Sequence, residues 1–219
     1  MTEKNYNRRT EKDYNFFRTL YYMAFVMLVV LPVTKFMYNL KIEGRENLPK
    51  DSHVIYAGNH VSYIDPPLIA LAAWKTIAYM AKQELFKTDS YFKRWVTRNV
   101  LRLGGFAVNR EKVSLSTIKS VKEVFKANYN LCIFPQGGIR KNKVIENINE
   151  GFIYFAKTNK IDILPVALDG LETYNWKPFK KQNVNIHIGQ PISYTLDEKE
   201  IIKEWSKQIC ELTGYENKM

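Results

Sequence analysis

A histidine and an aspartate five positions apart, His60 and Asp65, lie in a stretch that concentrates polar groups between two apolar runs, Ala57–Pro67, A-G-N-H-V-S-Y-I-D-P-P. An imidazole held at one nitrogen by a carboxylate is fixed in one tautomer. It gains basicity at the other nitrogen, which can then take a proton from a hydroxyl. On a continuous helix, positions five apart stand roughly 140° apart in projection and do not face each other. A turn must bring the pair together. The flanking residues predict one: Val54-Ile55-Tyr56 is a β-type run, and a helix is expected over Pro66–Trp74. Asp65 is expected at its N-cap and Pro66 at the first helical position, so that the cap serves mainly Leu68. The competing reading is an ordinary helix cap beside a polar loop, because Asp before Pro is common at helix starts for structural reasons. These residues alone leave both open.

The elements that would position the pair follow from periodicity. Leu40–Gly44 alternates as a short strand, Thr76–Lys82 and Leu131–Pro135 are apolar runs of strand type, and Gly104–Arg110 reads as a strand ending in an arginine. Ile163–Leu168 is a further strand and Val184–Ile188 alternates. Helical spacing marks Ser114–Asn128, the vicinity of Glu150–Thr158 and the vicinity of Asp197–Thr213. Alternating strands and helices predict an α/β fold, a single domain with a largely parallel or mixed central sheet covered by helices. A length of 219 residues agrees with one domain, and 46% apolar with 25% charged residues is a globular composition. Of the three histidines, His53 and His187 are expected to be structural.

The first 15 residues are polar and are expected to fray. Leu20–Val33 follows, with Pro32 its one residue that is not plainly apolar, and Tyr21, Tyr22 and Tyr38 near its ends. At about 1.5 Å per residue this run measures roughly 20 Å, short of a bilayer's hydrocarbon core. Residues 1–38 are therefore expected to form a membrane-associating segment, with an interfacial or one-leaflet helix favoured over a tilted span or a buried core helix. Residues 39–219 form the remaining domain. No small-residue cleavage site follows the run, which disfavours a signal peptide.

A net charge of +11 points to an anionic partner: nucleic acid, anionic lipid or a phosphorylated substrate. Eight basic against three acidic residues fall between Lys82 and Lys112, interleaved with Phe92, Trp95, Val96 and Val100. No zinc-finger spacing or aromatic RNA-binding motif is present, so nucleic acid is not expected as the partner. Cys132 and Cys210 have neither metal-ligand spacing nor a disulfide framework, which fits a reducing cytosolic environment.

Five segments in this order resemble the glycerolipid acyltransferase family. Asn59-His60-Val61-Ser62-Tyr63-Ile64-Asp65 matches its N-H-x-S-x-x-D motif, and Gly105–Arg110, G-F-A-V-N-R, its second motif ending in arginine. Phe134-Pro135-Gln136-Gly137 resembles the third, F-P-E-G, and Leu164-Pro165-Val166-Ala167 the fourth; Ala81–Phe86 resembles its A-K-x-E-L-F segment. The resemblance covers about Leu40 to Gly189. It implies transfer of a fatty acyl group from acyl-CoA or acyl carrier protein to the hydroxyl of a lysophosphatidic acid-type acceptor, at the cytoplasmic face of the cell membrane. No cofactor is implied beyond the thioester. Carried over by position, His60 is the base, Asp65 its orienter and Arg110 the phosphate binder, with Gln136, Gly137 and Lys82 on the substrate. The amides around Gly137 and Gly138 are the candidate oxyanion donors. Ser62 and Cys132 are not expected to act as nucleophiles.

The sequence departs from the family pattern at three points that bear on the acceptor: Gln136 replaces the motif glutamate, Gly138 the threonine after it, and Asn109 the acidic residue before the motif arginine. Arg140 also lies one place later than usual. The rival readings are an acyltransferase for another lysophospholipid or lipid hydroxyl, a degenerate non-catalytic lipid-binding relative, and a basic membrane-surface or nucleic-acid-binding module without catalysis.

Overall fold

The computed structural model describes residues 8–86, 91–108, 114–173 and 180–219, and within them every side chain but those at positions 92, 93 and 96. Its centre is a sheet of seven strands, β1 (Tyr38–Glu43), β2 (Ile55–Gly58), β3 (Ile77–Lys82), β4 (Phe106–Val108), β5 (Asn130–Ile133), β7 (Ile163–Asp169) and β8 (Gln182–Ile188), in the spatial order β1-β8-β7-β2-β5-β3-β4. A small pair, β6 (Val144–Ile145) and β9 (Glu216–Asn217), stands apart. Every neighbouring pair in the large sheet is parallel except β7 with β8. The expected mixed α/β sheet is what forms.

The strand sequences explain this layout. Ile55, Tyr56, Ala57, Leu131, Cys132 and Leu164 are all almost fully buried, as expected of central parallel strands covered on both faces. In β8 only Val184, Ile186 and Ile188 turn inward, and in β1 the odd-numbered residues from Asn39 are exposed, so this end of the sheet is covered on one face.

The helices are α1 (Phe16–Met37), α2 (Asp65–Ala73), α3 (Tyr91–Arg102), α4 (Leu115–Lys126), α5 (Gly151–Asn159) and α6 (Glu198–Thr213). From β2 the chain passes β5 to reach β3, and from β5 it passes β2 to reach β7. Right-handed crossovers in opposite directions send α2 and α5 to opposite faces of the sheet, so the loops after β2 and β5 diverge and leave a crevice at their carboxyl ends. There α/β sheets place their ligands, and His60 and Gln136 follow these two strands.

The N-terminal helix is long and apolar enough to cross a membrane. One of its faces is nevertheless committed to the domain: Tyr22, Val26, Val30 and Thr34, spaced four apart, are buried, while Phe16, Phe17, Leu28, Val33 and Phe36 point outward. Thr34 is tolerated on the inner face because its hydroxyl donates to the Val30 carbonyl at 2.8 Å. A π-helical turn over Val26–Val30 precedes Pro32, whose ring and missing amide hydrogen interrupt the regular ladder.

The expected fraying of the first 15 residues is corrected for the part described. Arg9 is 8% exposed and donates to the carbonyls of Gly105 (2.8 Å) and Leu101 (3.1 Å), and the Tyr14 hydroxyl donates to the Gly104 carbonyl. The last carbonyls of a helix lack intrahelical partners and carry the negative end of its dipole, so the end of α3 attracts an arginine from 92 positions upstream.

Candidate active site

The segment after β2 folds into the turn that the spacing of His60 and Asp65 requires. Asp65 Oδ2 accepts from His60 Nδ1 at 2.7 Å, from the Val61 N–H at 2.7 Å and from the Ser62 N–H at 2.8 Å. The expected N-cap is corrected: Ile64 occupies that position without a side-chain cap, Asp65 is already in the first helical turn, and the Leu68 N–H goes to the Ile64 carbonyl. The carboxylate points back and closes the turn that presents the imidazole. With Oδ2 accepting, Nδ1 carries the proton and Nε2 is left as the base nitrogen.

Asp65 is fully buried and, among the described residues, its Oδ1 has no hydrogen-bond partner. With its donors all on Oδ2, the carboxylate leaves Oδ1 uncompensated, and the cation nearest to it when one forms is the His60 imidazolium. His60 itself is 12% exposed, so its ring borders solvent at one edge.

Phe134, the last residue before the Pro135-Gln136-Gly137 turn, stacks on the imidazole with ring centroids 4.0 Å apart and planes 16° from parallel. The Arg140 N–H donates to the His60 carbonyl at 2.7 Å, so the loop after β5 holds His60 at two points, its ring and its carbonyl. Neither contact was foreseen; the signal available was an aromatic immediately before Pro at a strand end. Asn59 is a further omission. Its side chain exchanges two bonds of 2.7 Å with the backbone of Leu168, joining the end of β2 to β7 where the strands' own ladder stops.

Gln136 is buried, and its Nε2 donates to the carbonyls of Val144 (3.0 Å) and Glu146 (3.5 Å), so that nitrogen braces its own loop. Gly137 adopts φ +73°, a left-handed turn suited to glycine, and its N–H donates to the Phe134 carbonyl at 2.9 Å. That amide is therefore committed to the turn, which corrects its candidacy as an oxyanion donor. Lys82 ends β3, exposed and 3.6 Å from Glu84. Arg110, with Asn109, lies outside the described residues. Cys132 is buried on β5 and burial pushes its thiol well above its ordinary range, which suits a core residue and not a nucleophile.

Behind these loops the C-terminal tail acts as a clamp. β9 pairs with β6, and the Tyr215 hydroxyl donates to the buried Glu172, whose other oxygen accepts from the Gly170 N–H at 2.9 Å. Among the described residues no group of His, Cys, Asp and Glu side chains is arranged to hold a metal.

The acyltransferase family model matches residues 39–169, more than half of the chain. The chain belongs to the acyltransferase family. It is an acyltransferase enzyme, and the matched span runs from β1 through the His60 turn and the Phe134 loop to Asp169 at the end of β7. It is 29% identical over 154 residues to the 1-acyl-sn-glycerol-3-phosphate acyltransferase of Bacillus subtilis, a match covering 70% of this chain and 73% of the relative. With the protein of the same name from Borreliella burgdorferi it is 26% identical over 172 residues, covering 76% of this chain and 65% of the relative. The crystal structure of the 1-acyl-sn-glycerophosphate acyltransferase PlsC from Thermotoga maritima shares the fold, with a TM-score of 0.65 over 90% of this chain and 78% of that one at 21% identity.

Proposed function

We propose that this acyltransferase moves a fatty acyl group from acyl-CoA or acyl carrier protein to the free hydroxyl of a 1-acylglycerol-3-phosphate, forming phosphatidic acid. The observation that carries the chemistry is the His60–Asp65 bond of 2.7 Å at the mouth of the crevice. His60 Nε2 takes the hydroxyl proton as the oxygen attacks the thioester carbonyl carbon. The tetrahedral adduct collapses, the C–S bond breaks, and the thiolate departs with the electron pair and recovers the proton from His60. A thiol of pKa about 8.5 is a good enough leaving group that no acyl-enzyme is required. The reaction calls for no cofactor beyond the thioester.

The acceptor's identity rests on the names of the relatives and on position. β2 and β3 are separated by β5, so Lys82 and the His60 loop leave strands roughly 10 Å apart at the same end of the sheet, and the lysine side chain must reach inward to meet a phosphate on the acceptor. Arg110, two residues beyond β4, is assigned the phosphate, because a planar guanidinium holds two oxygens at once. The outward apolar face of α1 is assigned to the membrane, with residues 39–219 as the catalytic domain on its cytoplasmic side.

The test is an acceptor panel assayed with both donors on purified protein. Product is expected with 1-acylglycerol-3-phosphate, with Arg110→Ala raising the apparent KM for this acceptor much more than for the donor. Faster turnover of a lysolipid lacking the phosphate monoester would contradict the assignment.

A further inference from the structure

The outward side of α3 has a composition that acyl transfer does not use. At about 100° per residue, Tyr91, Arg94, Trp95, Arg98, Asn99 and Arg102 share one arc of roughly 140°. Tyr91 is 88% and Trp95 61% exposed, and the three arginines are exposed with them. The helix packs through its opposite side. Thr97 is buried with its hydroxyl on the Leu85 carbonyl at 2.9 Å, and Val100 lies so close to Gly105 that a Cβ there would meet it at 2.6 Å. The two large aromatics are therefore not core residues of this domain.

This face continues the apolar one. The Tyr21 hydroxyl of α1 donates to Asn99 Oδ1 at 3.0 Å, and the Arg18 guanidinium donates to the Leu101 carbonyl, so Phe17, Leu20 and Tyr21 run directly up to the arginine-aromatic arc. Trp and Tyr favour the headgroup layer, where the ring is half in hydrocarbon and its polar edge in water, and arginines beside them meet lipid phosphates. A single-stranded nucleic acid would also stack on aromatics and pair with arginines, but it has no use for the adjoining aliphatic stripe.

We propose that the outward face of α3 is a second membrane contact, which binds anionic lipid headgroups beside the apolar insertion of α1. The proposal rests on α1 being the anchor. Insertion by α1 supplies binding to any bilayer, and Arg94, Arg98 and Arg102 add selection for a negatively charged one and fix how the domain is turned on it.

Co-sedimentation of the full chain with vesicles of phosphatidylcholine, alone or mixed with phosphatidylglycerol, tests it. Wild type should bind the mixed vesicles more tightly, and R94Q/R98Q/R102Q should lose that preference, roughly fivefold per arginine and on the order of a hundredfold in all, while binding neutral vesicles as before. High salt should imitate the triple variant. W95A should weaken binding to both kinds of vesicle. Undiminished preference for the mixed vesicles in the triple variant would overturn the proposal, as would tighter binding of a single-stranded oligonucleotide than of those vesicles. L28E/V33E in α1 should abolish binding to neutral vesicles; if it does not, the reading of α1 as the anchor fails instead.

Discussion

The Phe134 ring lies flat on the His60 imidazole, with centroids 4.0 Å apart and 16° between planes, so two segments some 74 positions apart jointly hold that ring. An aromatic pair of this kind is worth about 0.5–1.5 kcal/mol. Phe134→Leu keeps the apolar volume and removes the stacking. It should lower kcat about threefold to tenfold with little change in either KM; a change in KM alone would mean that Phe134 touches substrate and does not position the base.

Asp65 holds three donors through one oxygen. Asp65→Asn keeps an acceptor there but removes the charge that stabilises the imidazolium, so activity should fall about tenfold to a hundredfold in a folded protein. Asp65→Ala strands the Val61 and Ser62 amides. At about 2 kcal/mol for the loss, Tm should drop roughly 4–8 °C as well. Calorimetry of the two variants separates the effects.

Gln136 faces carbonyl oxygens of its own loop. Gln136→Ala should lower stability by about 1 kcal/mol, and Gln136→Glu should destabilise at least as much at neutral pH, because a carboxylate cannot donate to Val144. Both variants should leave the ranking of acceptors unchanged. A re-ordered acceptor panel would show that Gln136 contacts substrate.

Burial raises the Cys132 thiol above 9.0, and burial together with the bond to Glu172 raises the Tyr215 hydroxyl above 10.0. Each group is harder to ionise in the fold than in the unfolded chain. Above these ordinary values the unfolded state holds fewer protons, so stability should be unaffected by them below about pH 9 and decline above it. Denaturant melts between pH 8 and 11 read this out, and Tyr215→Phe should flatten part of the decline.

The fold was legible because its central strands are uninterrupted apolar runs and β1 and β8, at one end of the sheet, alternate. The pairing of His60 with Asp65 was legible because the two are close in sequence. Contacts between distant segments were not: Phe134 on His60, Asn59 on Leu168 and Tyr215 on Glu172 join positions with no shared periodicity. The cap assigned to Asp65 failed for a related reason, since an aspartate beside Pro66 can serve the turn before it or the helix after it, and two amides and an imidazole behind it outweigh the amides ahead. Arg9 and Tyr14 look like tail residues until the helix end they satisfy is in place.

The proposed reaction turns on His60 as the base. Turnover of an acyl thioester with 1-acylglycerol-3-phosphate by wild type and by His60→Ala, each checked for an intact fold, measures this directly. A loss of about 10² to 10⁴ fold in kcat is predicted. Near-normal turnover by a folded His60→Ala protein would contradict it.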